Sequence, residues 1–110
     1  MNVYDSVNNL AKDIKESEEY LNYKNAKQAI GVMPEYHKKI AEFERLRYEE
    51  QLETIKTGKK DNEKIEVIQQ LYKEMIEIPE IQQYFDAQLK FNILLGDVNK
   101  AISQAVQDVM

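Results

Sequence analysis

The chain has no cysteine among its 110 residues. Disulfides, thiolate zinc sites, cysteine-ligated iron–sulfur clusters and cysteine nucleophiles are excluded together. Three glycines and two prolines are present, about 5% of the chain where average usage gives about 12%. Sandwiches, barrels and doubly wound sheets need more turn residues than that. The glycines stand alone at 31, 58 and 96, so no Gly-rich loop can cradle a phosphate. The single histidine, His37, cannot support a His-rich metal site. Pro34, three residues before it, also removes the Glu-x-x-His pairing of di-metal helical bundles. Beside Glu35, Lys38 and Lys39, His37 is expected on a solvated helix face. No apolar run approaches the length needed to span a bilayer. Residues 1–10 mix Asp, Asn and Ser with apolar side chains and lack the apolar stretch of a secretory signal. A cytoplasmic location is the default expectation.

Charged and apolar residues dominate the chain. Lys and Arg number 15 against 20 Asp and Glu, a net charge of −5, and apolar residues make up 43%. The apolar residues recur at helical spacing. Val3, Val7, Leu10 and Ile14 predict a first helix over about residues 3–15. Ser17 suits the N-cap of a second helix, with Glu18 and Glu19 where the helix dipole favours negative charge. That helix carries Tyr20, Tyr23 and Ile30, and Gly31 ends it. Pro34 opens a third helix reaching about residue 56, with Tyr36, Ile40 and Phe43 on one stripe and Tyr48, Leu52 and Ile55 on another. Residues 44–51 are mostly Glu, Arg and Gln, a stretch expected to be thinly covered or to meet a polar partner. Residues 57–60 form a turn, and Asp61 or Asn62 caps a fourth helix running to about residue 78. So short a connection predicts an antiparallel αα-hairpin.

Pro79 starts a fifth helix expected to run nearly to Met110. Ile81, Tyr84, Gln88, Phe91, Leu95, Val98, Ile102, Ala105 and Val109 alternate spacings of three and four, a strip about 45 Å long. A second line, Phe85, Leu89, Asn92 or Ile93, and Gly96, widens the apolar surface. A small domain of this size has a radius of gyration of ~13 Å, so such a helix outreaches it. Two arrangements would cover the strip: a symmetric homodimer, which is favoured, or a monomer whose first two helices fold back along the fifth. Phe91, Leu95, Val98 and Ile102 are the candidate oligomer-interface residues. The expected architecture is an all-α, elongated helical bundle of about five helices. It has a long antiparallel hairpin and a long C-terminal helix, in one domain over residues 1–110.

Three classes of function compete. An adaptor or regulator would dimerise through the fifth helix and present charged hairpin surfaces to protein partners. Tyr36 and Tyr48, in the polar third helix, are the candidate partner contacts, since tyrosine combines an apolar ring with a wet hydroxyl. Tyr20, Tyr23, Tyr72 and Tyr84 fit core packing better. A nucleic-acid accessory would use Lys56, Lys59, Lys60, Arg45 and Arg47. The acidic chain disfavours direct nucleic-acid binding. An enzyme would have to work with surface carboxylates, and no catalytic residue, cofactor or metal ligand is assigned.

The order of elements supports a further reading. Residues Asn2-Val3-Tyr4-Asp5-Ser6, Leu10-Ala11, Ile14 and Ser17-Glu18-Glu19-Tyr20, Pro34-Glu35 leading to Phe43, and the run Phe91 to Ile102 (FNILLGDVNKAI) resemble the YlbF/YmcA/YheA group of small bacterial proteins. The resemblance spans essentially the whole chain and is closest to the YheA-like branch. It implies an all-helical fold with a long hairpin, dimers or larger oligomers, and no known enzymatic activity. It also implies regulation of competence, sporulation or biofilm formation, within a complex tied to messenger-RNA processing by a membrane-anchored ribonuclease. Some members carry cysteines associated with an iron–sulfur cluster. With no cysteine here, that cofactor does not carry over.

Overall fold

Backbone chemistry at a few residues divides the chain into helices. In the computed structural model, which describes residues 2–110, α1 covers Val3–Glu16, α2 Glu18–Gly31, α3 Pro34–Thr57, α4 Asn62–Met75 and α5 Pro79–Ala105. A short 3₁₀ turn, Gln107–Val109, follows. No strand occurs among the described residues, so the all-α expectation holds.

Ser17 separates α1 from α2 by a single extended residue. Its backbone N–H and its hydroxyl both donate to the Ile14 carbonyl, at 3.1 and 2.6 Å, which ends α1. The same Oγ accepts from the Tyr20 N–H at 3.1 Å, which opens α2. At the start of α1 the Asn2 side chain accepts from the Asp5 N–H. Pro34 begins α3, and Gly58 ends it in the left-handed conformation, φ 73°, a geometry open to glycine at little cost. Asp61 then caps α4, accepting from the Glu63 and Lys64 N–H groups at 3.1 and 3.2 Å.

Two helix ends differ from the sequence expectation. Helix α4 stops at Met75 rather than near residue 78, although Ile76 and Ile78 continue the apolar pattern. The residue before a proline is disfavoured in the α region, so Pro79 forces a break that periodicity does not announce. Helix α5 gives way to the 3₁₀ turn after Ala105 instead of running nearly to Met110. Its 27 residues span about 40 Å.

The chain divides into two compact units whose boundaries fall inside α2 and α5. One spans Gln28–Gln83 and contains α3 and α4. Its core is Ile30, Ile40, Phe43, Met75 and Ile81, all buried, with Met75 and Ile81 essentially sealed from solvent. Helices α3 and α4 pack as an antiparallel hairpin: Phe43 stacks on Tyr72 with ring centroids 5.6 Å apart, and Lys64 bonds Glu53 near the turn. The other unit contains α1, α2 through Lys27, and α5 from Tyr84 onward. Among its described residues only Tyr84 and Ala87 are buried. An aromatic cluster joins α2 to α5: Tyr20 meets Phe91 edge-on at 5.9 Å, and Tyr23 lies 5.7 Å from both Tyr84 and Phe91.

Candidate functional site

Among the described residues, no three His, Asp or Glu side chains converge to hold a metal ion. None of their buried side-chain polar atoms lacks a partner, and no charged or polar residue belongs to the core. What the molecule does offer is uncovered apolar surface on three helix faces.

The first lies within one unit as two stripes, one on α1 and one on the C-terminal half of α5. Leu10 and Ile14 of α1 are half-buried, whereas Val3 and Val7 on the same stripe are 73% and 54% exposed. Helix α1 contains no buried residue, and none occurs in α5 beyond Ala87. The candidate interface residues divide along this gradient. Phe91 is half-buried and already stacked on Tyr20 and Tyr23. Leu95 and Val98 are half-buried, and Ile102 is exposed, as are Val106 and Val109 beyond it. The strip is therefore occupied at its start and bare at its end. Gln88, assigned to it from spacing, donates through Nε2 to the Tyr23 hydroxyl at 3.1 Å, which satisfies a polar group inside an apolar row.

A second face lies elsewhere on α5, where Leu89 and Ile93 are both more than half exposed beside Gly96. A third runs along α3, where Tyr48, Leu52 and Ile55 follow one another at helical spacing, all exposed. Of the two candidate partner tyrosines, Tyr48 lies on this face and Tyr36 is half-buried on another side of the helix, so the structure does not bring them together. Leu52 and Ile55, Tyr48's neighbours, were legible in the sequence as a stripe but not as a contact surface. Tyr20, Tyr23 and Tyr84 occupy packed positions as expected, and Tyr72, though partly exposed, stacks on Phe43.

Several of the basic residues are engaged by partners of their own. Arg45 pairs with Glu49 at 2.9 Å, and the Arg47 guanidinium sits 5.5 Å from the Phe43 ring centroid. Lys64 is held above the ordinary lysine value by its hydrogen bond to, and charge attraction from, Glu53. Lys56, Lys59 and Lys60 remain exposed at the hairpin turn, and His37 is exposed on α3. No helix of the described residues is long and apolar enough to cross a membrane.

Comparison with known proteins places these surfaces in context. Residues 3–107 match the family model described as control of competence regulator ComK, YlbF/YmcA. A UPF0342 protein of Symbiobacterium thermophilum is 33% identical, with 94% of this chain and 93% of the relative covered. Another from Clostridium novyi is 30% identical over 98% of this chain and 95% of its own. One from Caldicellulosiruptor bescii is 27% identical, covering 96% and 89%.

Proposed function

The chain belongs to the YlbF/YmcA family, whose description as control of a competence regulator supports a regulatory role, and on that premise we propose that it is a cytoplasmic, non-enzymatic helical adaptor. It acts by homodimerisation and by contacts with protein partners in the control of competence, sporulation, biofilm formation or messenger-RNA processing. The observation that carries this reading is the pair of apolar stripes, one on α1 and one on α5, left bare within one unit. Val3, Val7, Ile102, Val106 and Val109 are each more than 40% exposed, in a unit with only two buried residues among those described. A face of this kind is costly to leave in water and marks an association surface. A second copy laid along Leu95, Val98 and Ile102 would cover it. The stripe Tyr48, Leu52 and Ile55 on α3 is left for a protein partner, with the tyrosine as the contact of highest expected value.

Size-exclusion chromatography with light scattering tests the dimer. The wild type is expected to elute as a dimer or larger species at micromolar concentration. Leu95→Asp combined with Val98→Asp should dissociate it, because each change would place an unpaired charge in the contact. Circular dichroism of the same sample separates dissociation from unfolding. A wild type that stays monomeric at high micromolar concentration refutes the dimer.

A further inference from the structure

Helix α3 turns one side to α4 and leaves the other bare. Phe43 stacks on Tyr72, and Glu53 bonds Lys64 across the hairpin. Tyr48, Leu52 and Ile55 lie on the opposite side of the helix, so α4 does not cover them. Tyr48 is 62% exposed and Ile55 79%, and the row from one to the other is about 10 Å long. It is one side chain wide: exposed Glu44 and Gln51 border it on one flank, exposed Arg45 and Glu49 on the other. So narrow a ridge matches the apolar row of another helix. Laid on a bilayer it would press Glu44 and Glu49 against the headgroups, and anionic lipid would repel them.

The two ends of the row differ in charge. Toward the start of α3, Arg45 is neutralised by Glu49 at 2.9 Å. Toward the hairpin turn, Lys56, Lys59 and Lys60 follow Ile55, and no acid occurs in residues 54–60. The carboxylates that bound this stretch are engaged, Glu53 by Lys64 and Asp61 as the cap of α4. None of the three ammonium groups has an ion-pair partner among the described residues. An occupant must therefore bring apolar side chains along its length and carboxylates at one end. A second copy does not meet that need. Its α3 laid antiparallel would offer the lysines residues 42–47, where Arg45 and Arg47 cancel Glu42 and Glu44. Laid parallel, it would set lysines against lysines. Carboxylates in a helix are best placed in the first turn, where the dipole favours them, and this fixes the direction. Resting on the adaptor reading above, we propose that the Tyr48, Leu52, Ile55 row receives an amphipathic helix of a different protein. That helix lies antiparallel to α3, with an acidic first turn at the hairpin lysines.

Stapled synthetic helices of about 14 residues test it, by fluorescence anisotropy and by amide shifts of the isotope-labelled chain. One carries Leu at helical spacing after a Glu-rich first turn. A second has Lys for each Glu, and a third carries the Glu-rich turn at its C-terminal end. The first should bind at least about tenfold tighter than the second and about threefold tighter than the third, with shifts centred on Tyr48, Leu52 and Ile55. Ile55→Asp and, separately, Tyr48→Ala should weaken it at least about fivefold, with thermal midpoints within about 2 °C of wild type. Lys59→Glu with Lys60→Glu should transfer the preference to the Lys-rich peptide. Equal binding of all three peptides at this row keeps the adaptor's contact stripe and overturns the acidic partner. No shift at the row up to about 1 mM peptide, or shifts on α5 instead, also overturns it. So does pelleting with phosphatidylserine vesicles that Ile55→Asp abolishes, which marks a lipid surface. A fall in assembled mass with Ile55→Asp marks a second copy and overturns it too. A chain that stays monomeric yet prefers the acidic first turn refutes the strip dimer and upholds this contact.

Discussion

The two units of the chain handle apolar surface in different ways. The unit spanning Gln28–Gln83 puts five apolar side chains into a closed core, and Ile81 retains none of its accessible surface. The unit formed by α1, most of α2 and most of α5 buries only Tyr84 and Ala87 among its described residues, and its aromatic cluster covers one end of a longer strip on α5. Core burial contributes roughly 1.5–3 kcal/mol for each large apolar side chain, so the first unit carries its own stability. The second holds its helices with fewer such contributions and gains from any partner that covers the remainder. The difference places closed apolar packing in the hairpin unit and open apolar surface in the terminal helices.

Core truncation against surface truncation probes that difference most strongly. Ile81→Ala should cost about 3 kcal/mol in urea unfolding, because it opens a cavity at a fully buried site. Ile102→Ala, at 53% exposure, should change dilute-solution stability by less than about 0.5 kcal/mol. On the proposed dimer its effect should grow with protein concentration, since exposed side chains gain only on association. Equal losses from the two at low concentration would contradict the contrast.

Next in size are the helix caps, one in each unit. Asp61→Ala removes the acceptor for two N–H groups at the start of α4 and should cost about 1 kcal/mol. Ser17→Ala removes a hydroxyl that ends one helix and starts the next, with a similar cost of about 1 kcal/mol. Far-ultraviolet dichroism should show Ser17→Ala lowering helix content in dilute samples more than Asp61→Ala, because α1 has no buried residue to hold it in place.

The smallest effect belongs to the hairpin clasp. Glu53 raises the pKa of Lys64, so the contribution of the pair is complete below the unfolded lysine value and is lost as pH climbs through the raised folded one. Both side chains are well exposed, and salt should screen the pair. The gap in thermal midpoint between wild type and Lys64→Met should therefore be small at neutral pH, shrink with added salt, and vanish in strongly alkaline buffer.

Helix starts were readable because single residues determine them: Pro34, Asp61 and Pro79 each act through local backbone chemistry. The turn over residues 57–60, which holds Gly58, was readable as well. Helix ends without such a residue were not. Ile76 and Ile78 extend an apolar period into a segment that Pro79 prevents from being helical, and nothing before Met110 marks the close of α5 after Ala105. Within the candidate surfaces, spacing grouped Phe91 with Leu95, Val98 and Ile102 as one strip. It could not show that Tyr20 and Tyr23, about 70 residues earlier, take up Phe91 and leave Ile102 bare. Which side of a two-faced helix stays open depends on tertiary packing, and the helical period is silent on that.

Helix α5 runs from Pro79 to Ala105 without a cap, turn or bulge, and this makes it an indexing shaft. One inserted or deleted codon anywhere along it would swing every later side chain by about 100° and slide it about 1.5 Å. Placed after Ala87, such a change would leave Tyr84 and Ala87 in their seats while Val98 and Ile102 turned to a new heading. Substitutions edit one face at a time, but a change of length misaligns all of them at once, so this stretch should tolerate altered letters far better than altered spacing.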